Sequence, residues 1–535
     1  MKSYLHFPLC LSILLTITAG YAAAADRPVV RGEWGGSAAR NNVVEKADVP
    51  TEWNIGSWDN KTRKWDRTDA KNVRWIVPLG SQTYGTPIVA GGRVFCATNN
   101  GGAYLKKYPK ETDLGVLLAF DEKTGKFLWQ HSVEKHPAGR EIDWPEQGIC
   151  SNPLVVGDRL WIVTNRAEVV CLATAGDPKR PGESKVLWTF DMIGQLDVHP
   201  HNMASCTVVE VGDRIFVSTS NGVDESHRRA AKPNAPSFIA LDKNTGKLLW
   251  SDVGPGERIL HGQWSSPAVA TIDGTTQVLF AAGDGWVYSY AIEQGKPKLL
   301  WRFDCNPKAS VWKGDGRGDR ASLVSTPVVV GKHVYIATGH DPEFGEANGR
   351  LWCIDATRRG DVSPTIALDA KGKPVVPKRQ QAADPKAGDQ IRPNPNSAAV
   401  WLYEGKEVEK GTDREFEEQM HRSISTVVIS DGLVIATDLG GLVHCVDQKT
   451  GKLIWTHDMM ASIWGSPLVA GDKIFLGDED GDVVVLRLAR KLEVLAENSM
   501  GEAVYSTPTC AGNTLYLATR TYLAAIGVKK EGEGK

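Results

Sequence analysis

Histidine is the side chain in this sequence that points most directly to chemistry, because it binds metals and moves protons near neutral pH. His199 and His201 are separated by one residue, and Asn202 follows them. On a β-strand, residues i and i+2 point the same way, so the pair could supply two ligands to a metal ion. A hydrogen-bonded pair in a loop fits the same spacing and is the more common arrangement of buried polar groups. The spacing alone therefore assigns no metal site.

Other polar and aromatic side chains recur just before or just after short apolar runs. Together they could line a concave site for a ligand, a peptide or a metal ion, although solvent-exposed loops show the same pattern. The candidate ligand-binding residues are His199, His201, Asn202, Asp224, His261, Trp264, Asp284, Trp286, Arg320, His340, His421, Arg422, Trp464, Asp480 and Arg520. No residue is assigned a catalytic role, because the sequence contains no Gly-x-Ser-x-Gly and the serines that begin the apolar runs repeat as structural residues do.

The acidic run DEDGD at 478–482 resembles the first half of a calcium-binding loop. That loop requires a glutamate eleven positions after its first residue. Ala489 stands at this position after Asp478. A hairpin turn is therefore the better interpretation.

The elements that carry these loops are repeats. An eleven-residue pattern occurs at 119–129 (AFDEKTGKFLW), 240–250 (ALDKNTGKLLW) and 445–455 (CVDQKTGKLIW). Each copy predicts a strand, a tight turn at Asp-x-x-Thr-Gly-Lys and a second strand, with glycine supplying the positive φ of the turn. The glycines are Gly125, Gly246 and Gly451. The tryptophan that ends each copy is large enough to fill the gap between neighbouring sheets.

A second repeated element precedes each of these units. In order along the chain, it consists of a small residue, a Ser or Thr, usually a Pro, an apolar run, a turn and a second apolar run. The copies begin at Gly85, Ser151, Ser205, Ser265, Ser325, Ser425, Gly465 and Ser506. Tryptophan closes most of the units, and the predicted blade-docking residues of this kind are Trp75, Trp129, Trp188, Trp250, Trp301, Trp401 and Trp455.

The last unit lacks a closing strand, and an unpaired strand around Trp75 lies at the other end of the propeller sequence (NVRWIVPLG, 72–80). Pairing these two ends completes a ring. We therefore predict an all-β protein, an eight-bladed β-propeller of four-stranded antiparallel blades. Two separate sandwiches would not explain the complementary deficits at the two ends.

The remaining segments give the domain organisation. Residues 1–25 are predicted to be a signal peptide, with an apolar stretch too short to span a membrane. Residues 26–71, with four tryptophans, are expected to pack on the surface of the propeller, which runs from 72 to 528. Residues 356–400 are rich in Pro, Lys, Asp and Gln and are expected to form a long disordered insertion in the fifth blade, on the face of the Thr-Gly turns. A charged tail occupies 529–535.

Composition narrows the classes of partner. The 535 residues include 62 Lys and Arg and 64 Asp and Glu, a net charge of −2, which gives no electrostatic basis for binding nucleic acid. No other stretch is suited to span a membrane. The eight cysteines after the signal peptide lie mostly in apolar strand patterns and are expected to be free thiols. The sequence thus indicates an exported, periplasmic or secreted monomer.

The Ala-x-Asp-x-x-Thr-Gly-Lys-x-x-Trp element resembles the tryptophan-docking motif of quinoprotein dehydrogenases and of a propeller subunit of the outer-membrane protein assembly machinery. Segments such as NMASCTVV and HGQWSSPAV are similar to exported bacterial proteins with pyrroloquinoline-quinone (PQQ)-type repeats and no assigned activity. The dehydrogenase resemblance implies PQQ and calcium on the propeller axis. The vicinal Cys-Cys pair that accompanies the quinone is absent from this sequence.

Three functions follow from these patterns. The first is a non-enzymatic propeller that binds a protein or a small ligand in a polar funnel, with no cofactor. The second is a PQQ- and calcium-dependent oxidoreductase of the alcohol or sugar dehydrogenase type. The third is an outer-membrane protein assembly scaffold, although no lipid-anchor cysteine follows the predicted signal peptide.

Overall fold

The computed structural model describes Met1 and residues 31–292, 297–314, 318–344, 347–409 and 412–528. Its main sheets are eight antiparallel blades, so the predicted propeller is confirmed. The first strands of most neighbouring blades contact one another, and the eight first strands surround a common axis. The predicted signal peptide after Met1 and the predicted tail lie outside the described residues.

Each blade has four core strands, ordered from the axis outward. In blades one to four they are Ile88–Ala90, Arg93–Asn99, Leu114–Asp121, Phe127–Glu134; Leu154–Val156, Arg159–Val163, Glu168–Ala173, Lys185–Asp191; Val209–Val211, Arg214–Ser218, Phe238–Asp242, Leu248–Asp252; and Ala268–Ile272, Thr275–Ala281, Trp286–Ala291, Lys298–Asp304. In blades five to eight they are Val328–Val330, His333–Ala337, Leu351–Asp355, Ala399–Tyr403; Val428–Ser430, Leu433–Thr437, Leu442–Asp447, Leu453–Asp458; Leu468–Ala470, Lys473–Gly477, Asp482–Arg487, Val494–Ser499; and Thr509–Ala511, Thr514–Ala518, Tyr522–Ile526, Val73–Pro78. We call the face at which the inner strands begin the top face.

The eighth blade joins the two ends of the propeller. Val73–Pro78 pairs antiparallel with Tyr522–Ile526, and Trp75 lies opposite Ala525. The ring therefore closes through hydrogen bonds between the first and last parts of the propeller sequence, which join in one sheet.

Tryptophans of the outermost strands pack against glycines of the following blade. A Cβ on Gly125 would lie 2.8 Å from the ring of Trp75, and Gly246 and Gly451 approach Trp188 and Trp401 in the same way. These glycines have φ near +70°. Because the ring occupies the place of a side chain, only glycine fits both the turn and the contact.

The indole Nε1 of several docking tryptophans also donates to a carbonyl of the next blade. The bonds are Trp75 to Glu122 (3.1 Å), Trp129 to Thr174 (3.0 Å), Trp188 to Lys243 (3.2 Å), Trp401 to Gln448 (3.0 Å) and Trp455 to Ala489 (2.9 Å). Trp301 instead donates to the Gln277 side chain of its own blade at 3.0 Å. Trp250 packs against Tyr290 of the next blade, with ring centroids 5.1 Å apart.

Residues 31–47 fill the central channel, where the sequence predicted packing on the surface. Strand Arg31–Gly32 pairs with the inner strand of the second blade, and Val43–Val44 pairs with that of the seventh. Further bonds or close contacts reach the other inner strands, at Val89, Thr207, Val208, Pro267, Val269, Val329, Ile429 and Pro508. We call residues 31–47 the plug, since they touch all eight blades.

Arg40 holds the plug in place. Its guanidinium is fully buried and donates to the carbonyls of Trp34, Thr207, Val208 and Pro267 at 2.9–3.1 Å. A planar group with five donors suits this task, because the inner strands leave carbonyls on the channel side without a sheet partner.

Residues 48–71 pack against the seventh and eighth blades. A short hairpin, Ser57–Asp59 and Lys64–Asp66, brings Trp58 onto Tyr522, with ring centroids 5.0 Å apart. Trp53 is buried in the same cluster.

Residues 356–400 also differ from the expectation of a disordered loop. Gly360–Asp361 extends the fourth blade in parallel with its outer strand, and Thr365–Leu368 pairs with Gln390–Pro393. The chain then reaches the top face, where Arg379 donates to the carbonyls of His227 and Leu260. Strand addition at a free blade edge satisfies the backbone of a segment too polar to form its own core.

Among the described residues, helical structure is confined to short connections. They are the α-helix Met192–Leu196 and the 3₁₀ turns Asn100–Gly102, Gly139–Glu141, Gly256–Arg258, Pro342–Phe344, Pro385–Ala387 and Phe416–Glu418. A further short strand, Gly182–Glu183, extends the first blade. In the described part of the chain, no helix has the length and apolar character needed to cross a membrane. The eight cysteines there are free thiols.

Candidate functional site

A cavity of about 380 Å³ lies on the axis and opens at the top face. Trp34 of the plug contributes to its lining, and Trp34 Nε1 lies 3.4 Å from Thr507 Oγ1 on the innermost strand of the last blade. Because the plug fills the channel beneath, the cavity is a well and not a pore.

A closed belt of hydrogen bonds surrounds the lower part of the cavity. Each blade contributes one residue at the start of its inner strand, and in most cases its backbone amide donates to the side chain of the next blade's residue. The members are Thr86, Asn152, Thr207, Ser266, Thr326, Thr426, Ser466 and Thr507, linked at 2.7–3.2 Å. Between Asn152 and Thr207 the side-chain amide is the donor. The repeated Ser and Thr of the sequence thus hold the ring together.

A second tier lines the cavity above the belt. It is formed by the residue two positions before each belt residue: Tyr84, Cys150, Ser205, Trp264, Val324, Ile424, Trp464 and Tyr505. The position faces the axis in every blade, because residues i and i+2 of an extended chain point the same way. The repeat register therefore determines the composition of the wall.

Three of the four aromatic members of this tier cluster on one side. Tyr84 stacks on Trp464 at 6.0 Å, and Tyr505 lies 5.3 Å from Tyr84 and 4.9 Å from Trp464. Burial raises the pKa of Tyr84 to about 12, so its hydroxyl stays protonated. Trp464 Nε1 donates to Glu479 at 2.9 Å, which fixes the indole. This wall offers rigid aromatic faces to a ligand.

The other side of the cavity is more polar. Gln147, Asn202 and Asp341 line it together with Trp144 and Trp264. Asn202 has φ of +62°, and its backbone is held by bonds to Glu141 and Trp144 at 2.8 and 2.7 Å. The left-handed conformation of an Asn has a conformational cost, and the hydrogen bonds of its backbone N–H and C=O hold Asn202 in it.

Three histidines converge beside this polar wall. The rings of His201, His227 and His261 have centroids 4.4–5.0 Å apart, and one nitrogen from each lies within 4.8 Å of the others. Burial and the neighbouring His227 lower the pKa of His201 to about 4, and burial lowers that of His261 well below its usual value. Both rings are therefore neutral at physiological pH, the form that binds metals.

Local packing explains how the histidines are placed. Gly222 makes room for His201, because a Cβ at this glycine would lie 2.6 Å from the Cβ of His201. His227 has φ of +56°, and its carbonyl accepts a hydrogen bond from Arg379 at 3.0 Å. Trp264, which lines the cavity, has its ring 5.5 Å from that of His261.

His199 and His201, which are separated by one residue in the sequence, do not share a site. His199 turns to Glu141, with Nε2 3.1 Å from the carboxylate, while His201 joins histidines distant in sequence. The two histidines do not lie on a regular strand, and Asn202 beside them has a positive φ. The sequence analysis named no metal ligand, and the structure brings together three histidines whose nitrogens could hold an ion.

Of the remaining candidates, several are buried within or between blades and do not line the cavity. Asp284 accepts from Tyr288 at 2.7 Å and pairs with Arg258 at 3.3 Å, while burial raises its pKa. Lys308 lies over the ring of Trp286 at 4.3 Å. The Arg320 guanidinium lies 3.4 Å from Asp304.

The last group of candidates lies around the rim or behind it. Burial lowers the pKa of His340 to about 3, and its ring lies 5.1 Å from that of Trp312. His421 contacts Phe416, and Arg422 donates to the carbonyls of Gly318 and Phe344. Asp224 pairs with Arg229 at 2.8 Å, whereas Asp480 and Arg520 are exposed. Only Asn202, Trp264 and Trp464 of the fifteen candidates line the cavity.

Sequence reasoning missed Trp34, Tyr84, Trp144 and Gln147. The repeat register contained the signal for Tyr84, because it precedes the belt residue by the same two positions as Trp264 and Trp464. Trp34 carried no such signal, since nothing in residues 26–71 indicates entry into the channel.

The cavity does not fit PQQ with calcium. The quinone carries three carboxylates, yet the described lining contains no Lys or Arg and a single carboxylate, Asp341. Calcium takes six to eight oxygen ligands, with carboxylates prominent among them. The residues present therefore lack both the counter-charges for the quinone and the ligands for the ion.

A family model and curated proteins similar in sequence to this chain agree with a propeller fold. The family model PQQ_2, described as outer membrane protein assembly factor BamB, matches residues 59–138, 113–381 and 398–530. BamB of Yersinia pestis is 22% identical over 376 residues, covering 69% of this chain and 79% of that protein. Tetrathionate hydrolase of Acidithiobacillus ferrooxidans is 22% identical over 548 residues, covering 96% and 89%.

Among solved structures, a europium-containing methanol dehydrogenase superposes with a TM-score of 0.54. It is 14% identical, and the match covers 91% of this chain and 89% of that one. At this identity the similarity establishes a shared propeller fold and does not transfer an activity.

Proposed function

Because this chain belongs to the PQQ_2 family of propeller proteins, we propose that it is an exported binding protein that holds a small neutral ligand in its axial cavity. The observation that carries the proposal is the two-tier lining: aromatic faces above a belt of hydroxyl groups, in a well closed by the plug. Concave sites with apolar walls and a few directed polar groups are the usual geometry of ligand binding.

The chemistry of the lining points to a polyhydroxylated ligand such as a carbohydrate. Tyr84, Trp464 and Tyr505 present rings against which the C–H face of a sugar can pack, and Asn202 and Gln147 present amides that match its hydroxyls. The lack of Lys and Arg in the described lining disfavours strongly anionic ligands, including a tetrathionate dianion.

A titration with neutral oligosaccharides, followed by tryptophan fluorescence and calorimetry, tests this function. Tyr505→Ala should weaken binding at least about tenfold, the equivalent of roughly 1.4 kcal/mol. Tyr108→Ala is a matched control, since this tyrosine lies outside the cavity lining. Failure of a broad panel of neutral glycans to bind, or equal affinity in the two variants, would overturn the proposal.

A second candidate is a role in outer-membrane protein assembly. It is favoured by the description of the family model and by relatives such as BamB of Yersinia pestis. Pull-down of envelope proteins with the purified chain distinguishes the two functions. Specific capture of assembly-machinery components that persists in Tyr505→Ala would favour the scaffold role over the cavity.

A further inference from the structure

The three converging histidines come from separate loops of two neighbouring blades. His201 precedes the inner strand of the third blade, His227 lies between its second and third strands, and His261 precedes the inner strand of the fourth. Their nitrogens meet within 4.8 Å although the residues are up to 60 positions apart in sequence. Such convergence requires the folded propeller.

The imidazole nitrogens inside the cluster lack hydrogen-bond partners. His201 and His261 are each 1% exposed, and among the described residues His201 Nε2 and both nitrogens of His261 accept or donate no hydrogen bond. Leaving buried polar atoms unpaired costs about 1–3 kcal/mol for each group. Orphaned buried atoms of this kind call for a partner from outside the chain, such as a water molecule or an ion.

The remaining nitrogen of His201 is oriented as in metal-binding histidines. Nδ1 lies 3.1 Å from the carbonyl of Val223, and as the donor in that bond it leaves the lone pair of Nε2 directed into the cluster. Metal-binding histidines use such a bond from the second nitrogen to a carbonyl or carboxylate to fix the ring.

We infer that His201, His227 and His261 form a binding site for a divalent transition-metal ion, with Zn²⁺ as the reference metal. Neutral imidazoles suit Zn²⁺, Cu²⁺ and Ni²⁺, whereas Ca²⁺ and Mg²⁺ prefer oxygen ligands. Zn–N bonds of about 2.0–2.1 Å place ligand nitrogens closer together than 4.8 Å, so the rings rotate inward on binding.

The position of the site links it to the axial cavity. Asp341 lines the cavity, and its carboxylate lies 4.0 Å from His261 Nδ1. Three protein ligands leave a coordination position to be filled by a carboxylate, water or ligand atom. The metal site goes beyond the proposed function and does not depend on it, because its ligands lie outside the lining tiers.

Metal binding to tag-free, EDTA-treated protein tests the inference. Calorimetry and elemental analysis should find one Zn²⁺ per chain, and Co²⁺ should give a visible d–d spectrum that Zn²⁺ abolishes and Ca²⁺ leaves unchanged. His261→Gln should weaken Zn²⁺ binding at least about 100-fold, because it removes one of three ligands. His199→Gln, a histidine two residues from His201 that pairs with Glu141, should bind like the wild type.

The wild-type measurement keeps the test independent of how the variants fold. Absence of Zn²⁺ and Co²⁺ binding by the wild-type chain would overturn the inference. So would unchanged affinity in His261→Gln with a normal thermal melt, or loss of binding in His199→Gln. Glycan binding is measured separately, so failure of the proposed function leaves this result interpretable.

Discussion

The backbone amide of Thr507 in the eighth blade donates to Oγ1 of Thr86 in the first blade at 3.2 Å. This bond closes the belt at the point where the two ends of the propeller meet. The strand pairing of Val73–Pro78 with Tyr522–Ile526 closes the same ring at its outer edge. The ring is thus fastened twice, once near the axis and once at the periphery.

Breaking the belt should destabilise the protein. Thr86→Val keeps the shape of the side chain but removes the acceptor for the buried Thr507 amide, so we expect a loss of about 1–3 kcal/mol in the free energy of unfolding. Urea unfolding followed by fluorescence measures it. Thr271→Val, at an exposed threonine, should change stability little, and an equal loss in both variants would contradict a special role for the belt.

The effect of the docking contact between Trp75 and Gly125 on stability can be distinguished from the effect of backbone strain. Gly125 and Gly92 have φ of +70° and +75°, but only a Cβ on Gly125 meets a ring, and Gly92 faces open space. We expect Gly125→Ala to destabilise more than Gly92→Ala by about 1–3 kcal/mol, the usual cost of overpacking. Equal melting temperatures for the two variants would show that strain alone matters.

Removing the guanidinium that anchors the plug should loosen residues 31–47. Arg40→Met leaves four buried carbonyls without their donor, and we expect a loss of about 3–5 kcal/mol, as for a broken buried polar network. Hydrogen exchange of the plug should rise sharply. Arg93→Met, at a partly exposed arginine in the first blade, is the control and should leave the exchange of the plug unchanged.

A buried histidine should make stability depend on pH. Burial lowers the pKa of His131 to about 4, while its Nδ1 lies 2.9 Å from Ser184 Oγ. The unfolded chain binds this proton near pH 6.5 and the folded chain does not, so stability is full above pH 6.5 and falls between pH 6.5 and 4. Over this range the free energy of unfolding should fall by about 3 kcal/mol. His131→Gln should flatten this part of a plot of unfolding free energy against pH, and parallel curves would refute the assignment.

The fold was predictable because it rests on local repetition. Strand, turn and docking residues recur at a fixed spacing, and the complementary ends around Trp75 required a ring. The same register also places Tyr84, Trp264, Trp464 and Tyr505 at equivalent positions on the cavity wall. These positions are local properties of the repeat.

The plug and the histidine cluster were not predictable in this way. Trp34 enters the channel because inner-strand carbonyls and Arg40 hold it there, and no pattern in residues 26–71 encodes those partners. His227 and His261 meet His201 through loops that carry no repeat. Within residues 356–400, Gly360–Asp361 pair with the edge of a neighbouring blade, which composition alone does not reveal.

The plug has a consequence for the order of assembly. Residues 31–47 precede the propeller in the chain, yet their binding surface is made of inner strands from all eight blades, the last of which ends at Ala511. The plug can therefore reach its final position only after nearly the whole propeller has formed. Truncation that removes the eighth blade would take away its part of this surface, so complete burial of the plug depends on the last blade.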